Sequence, residues 1–165
     1  MERSVILTNT EIQHKLRRIA FQIYESNTGQ KEVVLAGIAA NGFLLAKKLK
    51  VILEQISPIK VILCEVIMDK KNPLSGIETS LSKDHYKNKS LLLVDDVLNS
   101  GTTLMYAVKH FLDVPLKQFH TAVLVNRNHK KYPIKADFKG ISLSTSLQEH
   151  ISIEVNKNSI TAYLN

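Results

Sequence analysis

Four stretches of this chain are apolar without the alternation of a half-exposed strand: EVVLAGI (32–38), IKVILCEVIM (59–68), SLLLVDD (90–96) and FHTAVLV (119–125). Strands of this kind are buried on both faces, as in a parallel sheet flanked by helices. The intervening segments supply the helices. After the Asn41–Gly42 turn, Phe43, Leu44, Leu45, Leu49 and Ile52 form an apolar side, and 102–113 carries Leu104, Ala107, Val108, Phe111 and Leu112 on one stripe. An earlier helix is expected from Thr10, where TEIQ has the form of a capping box closed by Gln13. Ile12, Leu16, Ile19, Ala20 and Ile23 follow at helical spacing until SNTG at 26–29.

Residues 69–89 are polar and aperiodic, and read as a long loop with room for a short hairpin. ADFKGISL, HISIEV and SITAYL read as short strands, the last two joined by a turn at 156–159. The expected fold is α/β, with a central parallel sheet flanked by helices in a single domain over 1–165. In such sheets ligands sit at the carboxyl ends of the strands, where strand order reverses. Asp95, Asp96 and the Gly37–Gly42 turn fall at such ends.

The apolar runs are too short to span a bilayer, and the first residues, MERSVILTNTEIQ, lack the apolar core and cleavage site of a signal peptide. The single cysteine, Cys64, has no partner for an internal disulfide and sits among aliphatics, as a buried thiol would. A cytoplasmic protein is the expectation, without a membrane partner. The net charge of +7 is compatible with polyanionic partners, whether nucleic acid or phosphorylated metabolites.

The segment LLLVDDVLNSGTTL (91–104) ends a buried strand on two adjacent carboxylates and continues into small, hydroxyl-rich residues. Two such charges repel each other and are costly to desolvate, so they need hydroxyl, ammonium or metal partners. The following Asn99, Ser100, Gly101, Thr102 and Thr103 offer backbone N–H groups and hydroxyls at a helix start, which suits a phosphate. A ligand with vicinal hydroxyls and a terminal phosphate, such as ribose 5-phosphate, would satisfy the whole segment.

This segment resembles the 13-residue phosphoribosyl pyrophosphate (PRPP) motif of the type I phosphoribosyltransferases. RIAFQIYESN…VVLAGIAANGFLLAKKL and TAVLVNRNHKKYPIKADFKGISLSTS further resemble the pyrimidine-operon attenuation proteins of that family, which are also uracil phosphoribosyltransferases. The similarity is collinear over nearly the whole chain. It implies that Asp95 and Asp96 hold the ribose hydroxyls, that residues 99–103 hold the 5-phosphate, and that Ala39, Ala40, Asn41 and Gly42 form the pyrophosphate turn, which in relatives often has a non-proline cis peptide. Phe138 is implied as the aromatic stacking on the base, with Arg127 and Lys139 beside it. Mg²⁺ is expected to arrive with PRPP. The implied layout has a lid at about 69–89 and a small hood at about 127–150 plus the N-terminal segment.

The implied reaction joins uracil to PRPP, giving UMP and pyrophosphate. Purine phosphoribosyltransfer is the less favoured enzymatic alternative, since Asn99 replaces the acid that would face the base. The chain also departs from its relatives at Asn41, where uracil-specific members have arginine, and at Thr102, usually arginine or lysine. The lid lacks their aromatic–arginine pair, leaving Lys70, Lys71, Lys83 or Lys87 as substitutes. These departures all touch pyrophosphate or catalysis, so weak turnover is expected.

The segment 126–139 is basic. In the attenuation branch this region contributes to an RNA-binding face, which implies His129, Lys130, Lys131 and Lys135 here, joined by His14 and Arg17, and an mRNA leader as partner. The competing reading of the chain is therefore an RNA-binding regulator that senses UMP or PRPP. Relatives imply a homodimer or a higher oligomer.

Overall fold

A computed structural model describes residues 3–165 of the chain. Strand β1 (Ser4–Leu7) leads into helix α1 (Asn9–Ser26), followed by β2 (Glu32–Ile38), α2 (Asn41–Ile56) and β3 (Lys60–Met68). A 3-10 turn at Pro73–Ser75 precedes β4 (Ile77–Thr79), the short α3 (Lys83–Tyr86), β5 (Ser90–Leu98) and α4 (Thr102–Phe111). Strands β6 (Gln118–Arg127), β7 (Phe138–Leu143), β8 (Ile151–Asn156) and β9 (Ser159–Leu164) complete the chain.

The main sheet has six strands in the order β4-β3-β2-β5-β6-β7, parallel except for β4. Strand order reverses between β2 and β5, so the crevice beyond their carboxyl ends is the expected ligand position. Helices α1 and α2 cover one face, with Ile12, Leu16, Leu45 and Leu49 buried against Leu35 and Leu92. The other face is covered by α4 and by Tyr86 and Ala136, packed with Val34, Leu91 and Leu93. Cys64 is fully buried on this second face, and burial pushes its thiol pKa up. Among the described residues, no helix is long and apolar enough to cross a membrane.

Four expectations are corrected. The α1 cap is Thr8, not Thr10: Thr8 Oγ1 accepts from the Glu11 N–H, and the Glu11 carboxylate accepts from the Thr8 N–H at 2.8 Å. TNTE competes with TEIQ, and the carboxylate of glutamate is the stronger acceptor at the helix N-terminus. Helix α4 ends at Phe111, which leaves Leu112 60% exposed rather than on the buried stripe.

Residues 69–89 are also more ordered than a loop. The anticipated hairpin is β3–β4, and α3 inserts Tyr86 into the core, edge-on to Phe111 at 5.0 Å. Lastly, the small sheet is β1-β9-β8: the N-terminal segment contributes β1 to it as the implied hood would have, but its other strands come from 151–164 rather than from 127–150. Its β8–β9 turn at Asn156–Ser159 falls where expected.

Candidate active site

Strand β5 carries Asp95 and Asp96 to the carboxyl edge of the sheet, next to the turn that joins β2 to α2. The two segments meet through glycine. A Cβ on Gly42 would lie 2.6 Å from the Val94 carbonyl and 2.9 Å from Asp95 Cα, so only glycine permits this approach. The Ala39–Ala40 peptide is cis, as the turn's resemblance implied. Ala39 N–H donates to the Val66 carbonyl at 2.9 Å, which anchors the turn on β3.

The two carboxylates differ. Asp95 is 2% exposed. Burial, followed by the charge of Asp96, pushes its pKa up to about 7. Its Oδ1 accepts from the Asp96 N–H at 2.9 Å and from Lys70 Nζ at 3.2 Å. Asp96 is more open. Its Oδ2 accepts from Asn41 Nδ2 at 2.9 Å, and Lys70 Nζ lies 4.0 Å from its Oδ1. Asn41 also donates to the Ile153 carbonyl at 3.3 Å, tying the β2–α2 turn to the small sheet.

Beyond β5, Gly101 holds φ +86°, a left-handed turn that delivers the chain into α4. Helix α4 starts with no side-chain cap and no acidic residue in its first turn, so its N-terminus is free to receive an anion. Ser100 Oγ and Thr102 Oγ1 are 2.9 Å apart. The Ser100 carbonyl is braced from behind by the N–H groups of Lys131 and Tyr132, at 2.7 and 3.1 Å. A cavity of about 170 Å³ runs from the carboxylates to the start of α4, lined by Lys70, Asp95, Asp96, Asn99, Ser100, Gly101 and Thr103 with Ile151 from the small sheet; Thr102 and the 39–42 turn do not line it.

Residues 3–156 match the family model of the phosphoribosyl transferase domain. The chain belongs to the phosphoribosyltransferase family. Curated relatives within it include the bifunctional protein PyrR of Bacillus pumilus, 34% identical over 94% of this chain and 92% of that protein, and PyrR of Clostridium novyi, 34% identical with the same coverage. The fold matches the crystal structure of a hypoxanthine-guanine phosphoribosyltransferase from Bacillus anthracis, with TM-score 0.75 and 18% identity, covering 99% of this chain and 100% of that one. The hypoxanthine phosphoribosyltransferase of Trypanosoma cruzi aligns with TM-score 0.75 and 15% identity over 96% and 95% of the two chains.

Other residues implied by the phosphoribosyltransferase resemblance are scattered. Arg127, at the end of β6, is buried and held by three hydrogen bonds: Nε donates to Thr145 Oγ1 at 2.5 Å, Nη2 to the Ser146 carbonyl at 2.7 Å and Nη1 to Asn99 Oδ1 at 3.5 Å. It locks the 144–150 connection onto the phosphate loop. Phe138 does not line the cavity. It begins β7 in register with Ala122, packs against the core under α1, and has the His120 ring 5.5 Å away. β7 is the outermost strand on that side of the sheet, so Phe138 stands at an edge, outside the set of residues that line the cavity. Lys139 is exposed beside it, its carbonyl taken by Arg18 Nη2 at 2.6 Å.

The basic residues also divide. His14 and Arg17 ride on α1, on one face of the sheet. Lys130, Lys131 and Lys135 lie on the connection whose Ile134 and Ala136 pack on the other face. Within one chain they form no common patch. His129 is partly buried, its Nε2 lying 2.6 Å from the Thr145 carbonyl as donor.

Of the candidate lid cations, Lys70 alone reaches the carboxylates, while Lys83 pairs with Asp113 at 2.9 Å. Ile151 and the Ile153 carbonyl are site features without a warning in sequence. They belong to an ordinary-looking strand, and only the pairing of both chain ends brings it over the site.

Proposed function

We propose that the chain binds PRPP and pyrimidine nucleotides in the cradle between β5 and α4. As an enzyme it joins uracil to PRPP, giving UMP and pyrophosphate. One observation carries this reading: a buried and a half-open carboxylate face an uncapped helix N-terminus across a single cavity. Carboxylates accept from vicinal hydroxyls, and a 5-phosphate fits the N–H groups and hydroxyls of Ser100–Thr103.

In the reaction, the N1 nitrogen of uracil bonds to C1 of PRPP. The C1–O bond to pyrophosphate breaks with its electron pair going to the leaving oxygen, and the N1 proton passes to solvent. The protein's part is to hold the ribose in place and to balance charge on the departing group. Among the described residues no three His, Cys, Asp or Glu side chains converge as a metal cage. A two-carboxylate donor set suits Mg²⁺ held mainly by PRPP oxygens and water, where it would neutralise pyrophosphate charge.

Uracil-dependent release of pyrophosphate from PRPP, with hypoxanthine as the competing base, tests the enzymatic reading. Turnover with uracil, slow because Asn41 and Thr102 carry no charge, supports it. Turnover with hypoxanthine alone would move the chain to purines.

A second reading is favoured by the net charge of +7 and by the exposed Lys130, Lys131 and Lys135. In it the chain regulates pyrimidine genes by binding an mRNA leader, with UMP or PRPP as the sensed ligand. His14 and Arg17 join such a face only across a cytoplasmic homodimer or larger assembly. Salt-sensitive binding to a leader RNA is the test.

A further inference from the structure

We propose that the foot of the main sheet, at the end opposite the carboxylates, holds a second nucleotide site, where a nucleoside triphosphate lies with its phosphates on Lys31, Lys89 and Lys117 and its base against Tyr24 and Pro58. The strands β2, β5 and β6 are each entered through a lysine: Lys31 precedes Glu32, Lys89 precedes Ser90 and Lys117 precedes Gln118. The three strands are neighbours, and Lys117 N–H donates to the Lys89 carbonyl at 3.0 Å, so the lysines line up across the sheet. The outer two are two strand spacings apart, about 10 Å, which flexible side chains close onto one phosphate chain.

The three lysines border a cavity of about 320 Å³, together with Gln30 and Asn88. The Lys89 side chain is 28% exposed and pairs with Glu32 at 3.1 Å. Glu32 is the one acid on that cavity, and among the described residues neither Lys31 nor Lys117 has an ion-pair partner. The carbonyl end of α1 would repel an anion if it were free. It is occupied instead: Asn27 Nδ2 donates to the Ile23 carbonyl, Asn27 N–H to Tyr24, Thr28 Oγ1 to Glu25 and Gln118 Nε2 to Ser26. The buried Asn27 also accepts from Ser90 Oγ at 2.5 Å and Gln118 Nε2 at 2.6 Å, which fixes the starts of β5 and β6 beside the lysines.

A second hollow of about 280 Å³ adjoins the first, and Gly29, Gln30 and Lys31 belong to both. Its other walls are Tyr24, Pro58 and Ile59, an aromatic ring and two apolar side chains, which suit the flat face of a base. In the shared wall, Gly29 has φ +84° and nothing within 4 Å of where a Cβ would lie. That leaves a low saddle over which a ribose can pass. An apolar hollow joined to a cationic one matches the two ends of a nucleotide, whereas a bare anion would leave the first unused. The site is separate from the phosphoribosyl cradle: Asp95 is six residues along β5 from Lys89, about 20 Å at the rise of a strand.

The experiment is calorimetric titration with ATP and, separately, with inorganic tripolyphosphate. The proteins are wild type, a Lys31→Gln, Lys117→Gln variant, Tyr24→Leu, and an Asp95→Asn, Asp96→Asn variant, each with a melting curve. Lys31 and Lys117 are exposed, so their replacement leaves the fold intact. The expected result is one-site ATP binding to wild type, weakened at least tenfold in the lysine variant, at least threefold in Tyr24→Leu, and unchanged in the aspartate variant. Tripolyphosphate binds more weakly than ATP and is indifferent to Tyr24→Leu.

Absence of saturable ATP binding to wild type would overturn the inference. ATP affinity lost in the aspartate variant and kept in the lysine variant would overturn it too, by placing the nucleotide in the β5–α4 cavity. Tripolyphosphate binding as tightly as ATP would reduce the foot to a general polyanion surface and refute the nucleotide site. PRPP titrated into the same proteins tests the cradle separately, so either reading can fail alone.

Discussion

Replacing Asp95 with asparagine should make the free protein more stable while removing its ligand. A carboxylate that ionises near 3.8 in the unfolded chain and near 7 in the fold is held proton-bound by the native structure. Below about pH 4 both states bind the proton, and the group contributes no penalty. As pH rises from about 4 to about 7 the unfolded chain releases it first, so the folded protein loses stability across that window. Above it the penalty is complete: three pKa units at roughly 1.4 kcal/mol each give about 4 kcal/mol.

Asparagine removes the charge but loses part of the bonding to Lys70 Nζ and the Asp96 N–H, each worth about 1 kcal/mol. The net expectation is a gain of about 2 kcal/mol at pH 8, or about 4–8 °C in melting temperature for a chain of this size. At pH 4 the gain vanishes or reverses. Thermal unfolding of ligand-free wild type and Asp95→Asn at both pH values is the assay. A variant no more stable at pH 8, or a difference independent of pH, would refute the reasoning.

Other substitutions probe the scaffold of the site. Gly101→Ala places a Cβ 2.5 Å from Ile134 Cγ2 at φ +86°, and should destabilise by about 1–3 kcal/mol in chemical denaturation while weakening binding of phosphate-bearing ligands. Arg127→Ala removes three donors from Thr145, Ser146 and Asn99; a loss of about 2–3 kcal/mol is expected, with faster proteolysis within 144–150 as the readout. Tyr86→Phe deletes a fully buried hydroxyl that has no partner, so its urea midpoint should stay level or rise. Thr8→Ala opens the α1 capping box and should lose about 1 kcal/mol, whereas Thr10→Ala should be nearly silent in the same assay.

The parallel core was legible because burial on both faces writes an unbroken apolar run, as in Val33–Ile38 and Leu91–Val94. The Asp95–Thr103 segment was legible because its residue types fit no ordinary strand end. Less could be read where a residue's neighbours come from far along the chain. Nothing local distinguishes Phe138 as the start of an edge strand of the main sheet from Phe138 in a separate hood; only its pairing with Ala122 places it in β7. Lys70 was one of four equivalent lysines until the β3–β4 hairpin aimed it at Asp95. How far His14 and Arg17 stand from the 126–139 cluster within one chain could not be read, because sequence does not record that the sheet lies between α1 and Ile134. Within 69–89 the hairpin was anticipated but α3 was not, because it is a single turn with one core residue, too short for a period to show.

The central claim is that the β5–α4 cavity recognises a phosphoribosyl group through its two carboxylates. Calorimetric titration of PRPP with Mg²⁺ into wild type and into an Asp95→Asn, Asp96→Asn variant tests it most directly. The account predicts saturable one-site binding to the wild type, and loss of at least a hundredfold in affinity in a variant that melts no earlier. Equal affinity in the two proteins, or none in the wild type, would contradict it.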